Sequence, residues 1–343
     1  MSRVTGAAHA VPAPMPQDAL WDGFFREHYL DDERARRIWA STGIETRHGV
    51  VDPRVEDVSG WGTEARMRRF VSEAMPLGKD CVSAALAAAG LAAEDVGLFT
   101  VASCTGYATP GVDILLARDL AMRDDVQRLH IGHMGCYAAI PALGAVSDFT
   151  AARGRPSVLL CVELTSLHVQ PARADVQQVV AHSLFSDAAA AVVLEPGAGP
   201  GLEVVDMVAI TDPSTAELMT WDVTDLGFAM GLSPKVPDVL AEHVVAFTER
   251  LLAPNGLSVG DVTGWAVHPG GRRILEVVQE RLGLDDSALT PSYSTLRDFG
   301  NCSSATVLLV LERVRQTLSA GDWCVAMAFG PGLTLYATLL RAT

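Results

Sequence analysis

Three side chains in this sequence have the types that acyl transfer needs: the thiol of Cys136, the imidazole of His268 and the carboxamide of Asn301. Cys136 stands in Ile131-Gly132-His133-Met134-Gly135-Cys136-Tyr137, between a short apolar run and an alanine-rich one. A thiol at the first turn of a buried helix feels the positive end of the helix dipole, which lowers its pKa toward a thiolate. The alternative is a cysteine serving as a small apolar residue of the core. His268, in Trp265-Ala266-Val267-His268-Pro269-Gly270-Gly271, closes an apolar run before a glycine turn, where a histidine is commonly structural. Asn301, in Asp298-Phe299-Gly300-Asn301-Cys302-Ser303-Ser304, stands at the mouth of a helix, where an Asn is commonly just an N-cap. Together they make a working set. The cysteine is a nucleophile, a protonated imidazole steadies its thiolate, and imidazole and carboxamide donate hydrogen bonds to a developing oxyanion.

The elements that must position these groups are legible from periodicity and punctuation. Residues 96–103, 127–131, 155–163 and 189–194 read as apolar strands, the second leading as a buried strand toward Cys136. Residues 69–90, 112–122 and 137–152 read as helices, and 18–43 as a helical start rich in aromatics. In the second part, 202–212, 264–267, 323–328 and 333–340 read as strands, and 236–252, 272–282 and 302–318 as helices. Strands that are apolar throughout and alternate with helices indicate an α/β fold with sheets covered on both faces. Pro196-Gly197-Ala198-Gly199-Pro200-Gly201 is the clearest linker. It divides the chain into a flexible arm (1–17), a first half (18–196) with the cysteine, and a second half (201–343) with the histidine and asparagine. No repeat is visible at the level of letters.

Composition narrows the class. With 343 residues, 49% hydrophobic, the chain can bury a large core. A net charge of −15 argues against nucleic acid as a partner. No apolar run is long enough to span a membrane, and the first residues have no signal-peptide core. Six scattered cysteines without a C-x-x-C pair suggest neither zinc nor disulfides, and point to a reduced cytoplasm. Residues 26–69 hold nine Arg and nine Asp or Glu, so a basic face could lie there; the alternative is a helix surface laced with ion pairs.

The chain resembles the type III polyketide synthases, the chalcone-synthase-like branch of the thiolase superfamily, over roughly residues 42–340. The resemblance rests on Gly135-Cys136, Phe185-Ser186-Asp187-Ala188-Ala189-Ala190, Val267-His268-Pro269-Gly270-Gly271, Gly300-Asn301-Cys302-Ser303-Ser304 and Phe329-Gly330-Pro331-Gly332-Leu333-Thr334. Ala328 stands where the family usually has Gly. It implies a thiolase-like layered αβαβα fold of two similar halves. It implies an acyltransferase that loads an acyl-CoA starter on Cys136 and extends it iteratively with malonyl-CoA, by decarboxylative Claisen condensation and cyclisation. His268 and Asn301 then bind the malonyl thioester, and no metal or redox cofactor is needed beyond the CoA thioesters. A homodimer is implied, with the loop 105–110 reaching into the partner's cavity and Thr109 where Met is common. A ketoacyl synthase III-like enzyme, using an acyl carrier protein, is the alternative; it shares the Cys-His-Asn set but generally lacks the runs seen here at His268-Pro269-Gly270-Gly271 and Gly330-Pro331-Gly332-Leu333-Thr334.

Further residues carry over one by one. Phe185 matches a gatekeeping phenylalanine between the CoA tunnel and the cavity. Met230 falls at the second gate, where a flexible thioether suits varied starters. Cys104 and His168 fall at cavity-lining positions, and Gly330 and Pro331 belong to the closing signature. The CoA phosphates require a cationic mouth on this acidic chain; Arg37, Arg47 and Arg273 are the candidates, with Arg34 and Arg36 beside them.

Overall fold

The computed structural model describes residues 1–173 and 175–343. Its strands are β1 (Ser2–Ala10), β2 (Pro14–Pro16), β3 (Thr46–His48), β4 (Leu98–Ser103), β5 (Gln127–Gly132), β6 (Ser157–Glu163), β7 (Ala188–Pro196), β8 (Leu202–Thr211), β9 (Met219–Thr224), β10 (Gly227–Leu232), β11 (Val262–Val267), β12 (Trp323–Gly330) and β13 (Thr334–Ala342). A nine-stranded sheet runs β11-β12-β13-β8-β1-β7-β6-β4-β5. The halves join where β1 pairs with β8, Arg3 opposite Glu203 and Val4 opposite Leu202.

Outward from that joint the halves repeat each other. In the first, β1–β7 and β7–β6 are antiparallel, then β6–β4 is parallel. In the second, β8–β13 and β13–β12 are antiparallel, then β12–β11 is parallel. The apolar strands divide their side chains by alternation. In β7, Ala188, Ala190, Val192 and Leu194 join one core, and Ala189, Ala191 and Val193 another. The shared inner core also takes Ala266, Cys324, Ala326 and Leu340 from the second half. Two helices, Ala139–Arg153 and Ala305–Arg315, fill it and supply Ile140, Leu143, Leu308 and Leu311. Thr63–Ala89 covers the outer face of the first half, Val236–Leu252 and Arg272–Leu282 that of the second. These are the layers of a thiolase-like αβαβα fold.

Two expectations fail here for physical reasons. Residues 1–17 are not a flexible arm, because β1 is a central strand paired along β7. Its small residues look like a disordered tail, but they are small because the long helix crosses directly over them. A Cβ on Gly6 would stand 2.3 Å from the carbonyl oxygen of Ala85. Strand β5 is not buried; it is the exposed edge of the sheet. In addition, residues 18–43 break at Leu30 and Asp31, both with positive φ, and Asp32 caps a new helix, Glu33–Ala40.

Candidate active site

The repeat explains why Cys136 and Asn301 meet. Each precedes one of the two central helices, Ala139–Arg153 and Ala305–Arg315. His268 follows directly on β11. All three line one cavity of about 660 Å³.

Cys136 lies in a 3-10 turn, Gly135–Tyr137, one turn ahead of its helix. The closing run 329–334 backs this turn. Gly135 has φ +76°, and a Cβ there would stand 2.8 Å from Cδ of Pro331. A Cβ on Gly330 would stand 2.6 Å from Cδ1 of Tyr137. Gly330→Ala is therefore expected to push the turn aside. A displacement near 1 Å costs roughly a hundredfold in turnover, so kcat falls by about that factor while the far-ultraviolet circular dichroism stays wild-type. Unchanged kcat removes this role for the closing run.

The electrostatics differ from the sequence expectation. Burial pushes the Cys136 thiol up to about 12. Hydrogen bonds with Ser303 and Asn301 pull it down, while the charge of buried Glu163 pushes it up. Desolvation outweighs the helix end here. Burial alone draws His268 down to about 3, and among the described residues neither of its ring nitrogens has a partner. The resting pair is thus a thiol and a neutral imidazole. Asn301 is fixed at both ends. Its Oδ1 accepts the Ser303 N–H at 2.9 Å and its Nδ2 donates to Gly270 O at 3.3 Å. Its backbone is paired with residues 184 and 186, Ser186 N–H to Asn301 O and Asn301 N–H to Leu184 O, each at 2.9 Å.

Two smaller spaces adjoin the main cavity. An inner chamber of about 20 Å³ is lined by Cys104, Thr105, Cys136, Trp221, Ser303 and Pro331. A side chamber of about 280 Å³ is lined by Arg47, His168, Gln177, His182 and Trp221 among others. Phe185 and Met230 line all three spaces, so these two side chains stand where the spaces meet. Cys104 lies with Sγ 3.2 Å from Ser303 Oγ and 3.5 Å from the Glu163 carboxylate. Its thiol is driven well above its ordinary value by burial and then by Glu163.

His168 lines the side chamber and also serves as an anchor. Its Nδ1 accepts the Phe228 N–H at 3.0 Å, its Nε2 donates to Thr105 O at 2.6 Å, and its ring stacks on Phe228. Thr109 is exposed on its loop. Arg37 is exposed and donates to Glu33 O. From that helix the cavity is lined by Arg34, Ile38 and Ser41, and Arg37 is not among its lining residues. Arg47 is buried, donates to the carbonyls of His182 and Phe185, and is not at the mouth. Arg273 does line the mouth, with Arg34 and Arg272, and is paired with Glu276 and Glu280.

Sequence reasoning missed Glu163, Ser303 and Trp221. Glu163 is fully buried and accepts from Thr105 Oγ1 at 2.8 Å, Cys104 N–H at 3.0 Å and Ser304 Oγ. A lone carboxylate ending an otherwise apolar strand was the available signal. Trp221 donates its indole N–H to Cys104 O at 2.6 Å from a hairpin, β9–β10, that no periodicity announced.

A layered thiolase-like fold with a buried cysteine, histidine and asparagine lining one cavity defines an acyl-condensing class of protein. Residues 3–200 match the chalcone and stilbene synthase N-terminal domain, and residues 203–343 the C-terminal domain. The chain therefore belongs to the chalcone and stilbene synthase family, the type III polyketide synthases, which are acyltransferases. It is 37% identical over 317 residues to a 1,3,6,8-tetrahydroxynaphthalene synthase of Streptomyces peucetius subsp. caesius, covering 89% of this chain and 83% of that one. It is 32% identical over 328 residues to the alpha-pyrone synthesis polyketide synthase-like Pks18 of Mycobacterium tuberculosis, covering 90% of this chain and 83% of that one. The crystal structure of PKS-I from the brown alga Ectocarpus siliculosus superposes with a TM-score of 0.93 at 29% identity, covering 100% of this chain and 98% of that one.

Proposed function

We propose that the chain builds polyketides on Cys136 from an acyl-CoA starter and malonyl-CoA, with His268 and Asn301 as the decarboxylation site. The observation that carries this reading is the meeting of all three side chains on one cavity, from two halves of the chain. In loading, the Cys136 sulfur attacks the starter thioester carbonyl as its proton passes to His268. The carbon–sulfur bond to CoA breaks, and CoA leaves as a thiol with that proton. In extension, His268 N–H and Asn301 Nδ2 donate to the malonyl thioester oxygen. Carbon dioxide leaves, and its bonding electrons form an enolate that those donors stabilise. The enolate carbon attacks the Cys136 thioester, sulfur departs as thiolate, and a chain two carbons longer is left on CoA. Reloading repeats the cycle until the product cyclises to a resorcinol, pyrone or related aromatic ring. Burial keeps water from the thioester and the enolate. No step calls for a metal or redox cofactor. Intact-protein mass spectrometry tests the loading step: hexanoyl-CoA should add one acyl group, located on Cys136, and an acyl group on any other residue overturns it.

Arg34, Arg272 and Arg273 at the mouth suit the CoA phosphates. Reversing Arg34 and Arg272 together to glutamate should raise the malonyl-CoA KM roughly tenfold with kcat little changed. Arg37→Glu should leave it near wild type. Equal effects of the two changes would remove this placement.

We infer a homodimer in the cytoplasm. The exposed edge strand β5, with Leu129 39% exposed, and Tyr107, 52% exposed beside Thr109, support an interface there. Six free buried thiols support a reducing compartment.

A further inference from the structure

No step of the condensation uses Arg47. Its stem lies beneath Gly300, where a Cβ would stand 3.2 Å from Arg47 Cγ. Its guanidinium sits 4.8 Å from the ring centre of Trp39. It donates to the Phe185 carbonyl at 3.0 Å, directly behind the side chain where the cavities meet. Among the described residues its Nε has no partner. Among the described residues it has no carboxylate at ion-pairing distance. The carboxylate whose charge it feels most, Asp187, is already engaged by the N–H groups of Val50 and Ser166 and the hydroxyls of Ser166 and Thr165. Burial draws Arg47 down to about 9, which leaves it cationic at neutral pH. A buried cation without a counter-charge is unfavourable unless an anion is brought to it.

The neighbouring spaces indicate how an anion arrives. The inner chamber beside Cys136, about 20 Å³, has room for little more than a water. The main cavity must hold the CoA arm at each condensation. An acyl tail of several atoms on Cys136 therefore turns past Phe185 and Met230 into the side chamber of about 280 Å³, whose inner wall is Arg47. Gln177 and His182 add polar groups to that wall. At the outer rim Asp175 and Asp222 outnumber Arg173, so a free anion is not drawn in from solvent by that side. The charge has to come attached to the acyl chain.

We propose that the side chamber receives the far end of a carboxylate-terminated acyl group, with Arg47 as its counter-charge, so that the enzyme accepts dicarboxylic monothioesters of the succinyl- or glutaryl-CoA kind as starters. This rests on the loading of Cys136 set out above.

The test compares glutaryl-CoA with its monomethyl ester and with hexanoyl-CoA, each with malonyl-CoA and the full-length protein, products read by mass spectrometry. Glutaryl-CoA should exceed its methyl ester in kcat/KM by roughly tenfold or more, the scale of one charge-assisted hydrogen bond. Its products should retain the carboxylate. In Arg47→Gln the ratio between the two starters should fall to about one; a ratio within one protein is insensitive to how much of that protein folds. The wild-type comparison stands alone if the variant is insoluble. Products from hexanoyl-CoA, with no preference for glutaryl-CoA over its ester, overturn the carboxylate site and leave the synthase reading standing. No malonyl-dependent product from any starter overturns both.

Discussion

Replacing Cys136 by alanine is expected to abolish polyketide formation while malonyl-CoA still loses carbon dioxide. The two activities separate because they use different atoms. Condensation needs a sulfur to hold the starter. Decarboxylation needs only donors on the malonyl thioester oxygen, and those belong to His268 and Asn301. Asn301 is held by Ser303, Gly270 and the backbone of Leu184 and Ser186, none of which depends on the thiol. Product formation should fall roughly a thousandfold or more, to background, as for loss of a covalent nucleophile. Conversion of malonyl-CoA to acetyl-CoA should remain within about tenfold of wild type. Chromatography of both CoA species in one reaction reads both rates. Asn301→Ala should show the converse, with starter loading retained and decarboxylation lost. If the Cys136→Ala protein still makes product, the covalent scheme is wrong; if it loses decarboxylation as well, the division of labour is.

Much of the architecture was legible because burial on both faces leaves strands apolar throughout. Ala188–Pro196 shows its strand in its letters, and the glycine at 90 ends the long helix with φ +69° as its type suggests. The triad was legible because glycine-rich turns flank each member. What was hidden depends on contacts between distant elements. Small residues in Ser2–Ala10 look like a tail until the helix that lies on them is known. Arg37 and Arg34 are equal as letters, and only the folded side-chain directions separate them, Arg34 lining the cavity and Arg37 bonding Glu33 O. Arg47 reads as a surface cation, yet it is clamped by carbonyls and an indole far along the chain. The Cys136 thiol looked activated because dipoles can be read locally, whereas the desolvation that outweighs them is set by the whole fold.

Burial of neutral imidazoles makes the fold sensitive to mild acid. His168, His182 and His268 are each drawn from 6.5 to about 3, with burial the largest cause. Two also accept a backbone N–H, from Phe228 on His168 and from Gln170 on His182, so protonation must break those bonds. Below pH 6.5 the unfolded chain takes up these protons, and the folded chain does not until about pH 3. Stability is therefore fully present above 6.5 and is lost as pH falls from 6.5 toward 3. Each site contributes about 1.4 kcal/mol per pH unit, and the three together about 4. Buried Glu163 and Asp187, both raised above their ordinary values chiefly by burial, act in the opposite sense and offset part of the loss at the acid end. Against a typical stability of about 5–15 kcal/mol, a slope of this size removes about 6 kcal/mol by pH 5, a large share of the total. Urea midpoints should fall steeply between pH 6.5 and 5, and His182→Gln should remove about a third of that slope. A midpoint that is flat over the same range would show that the three rings are not held neutral in the folded protein.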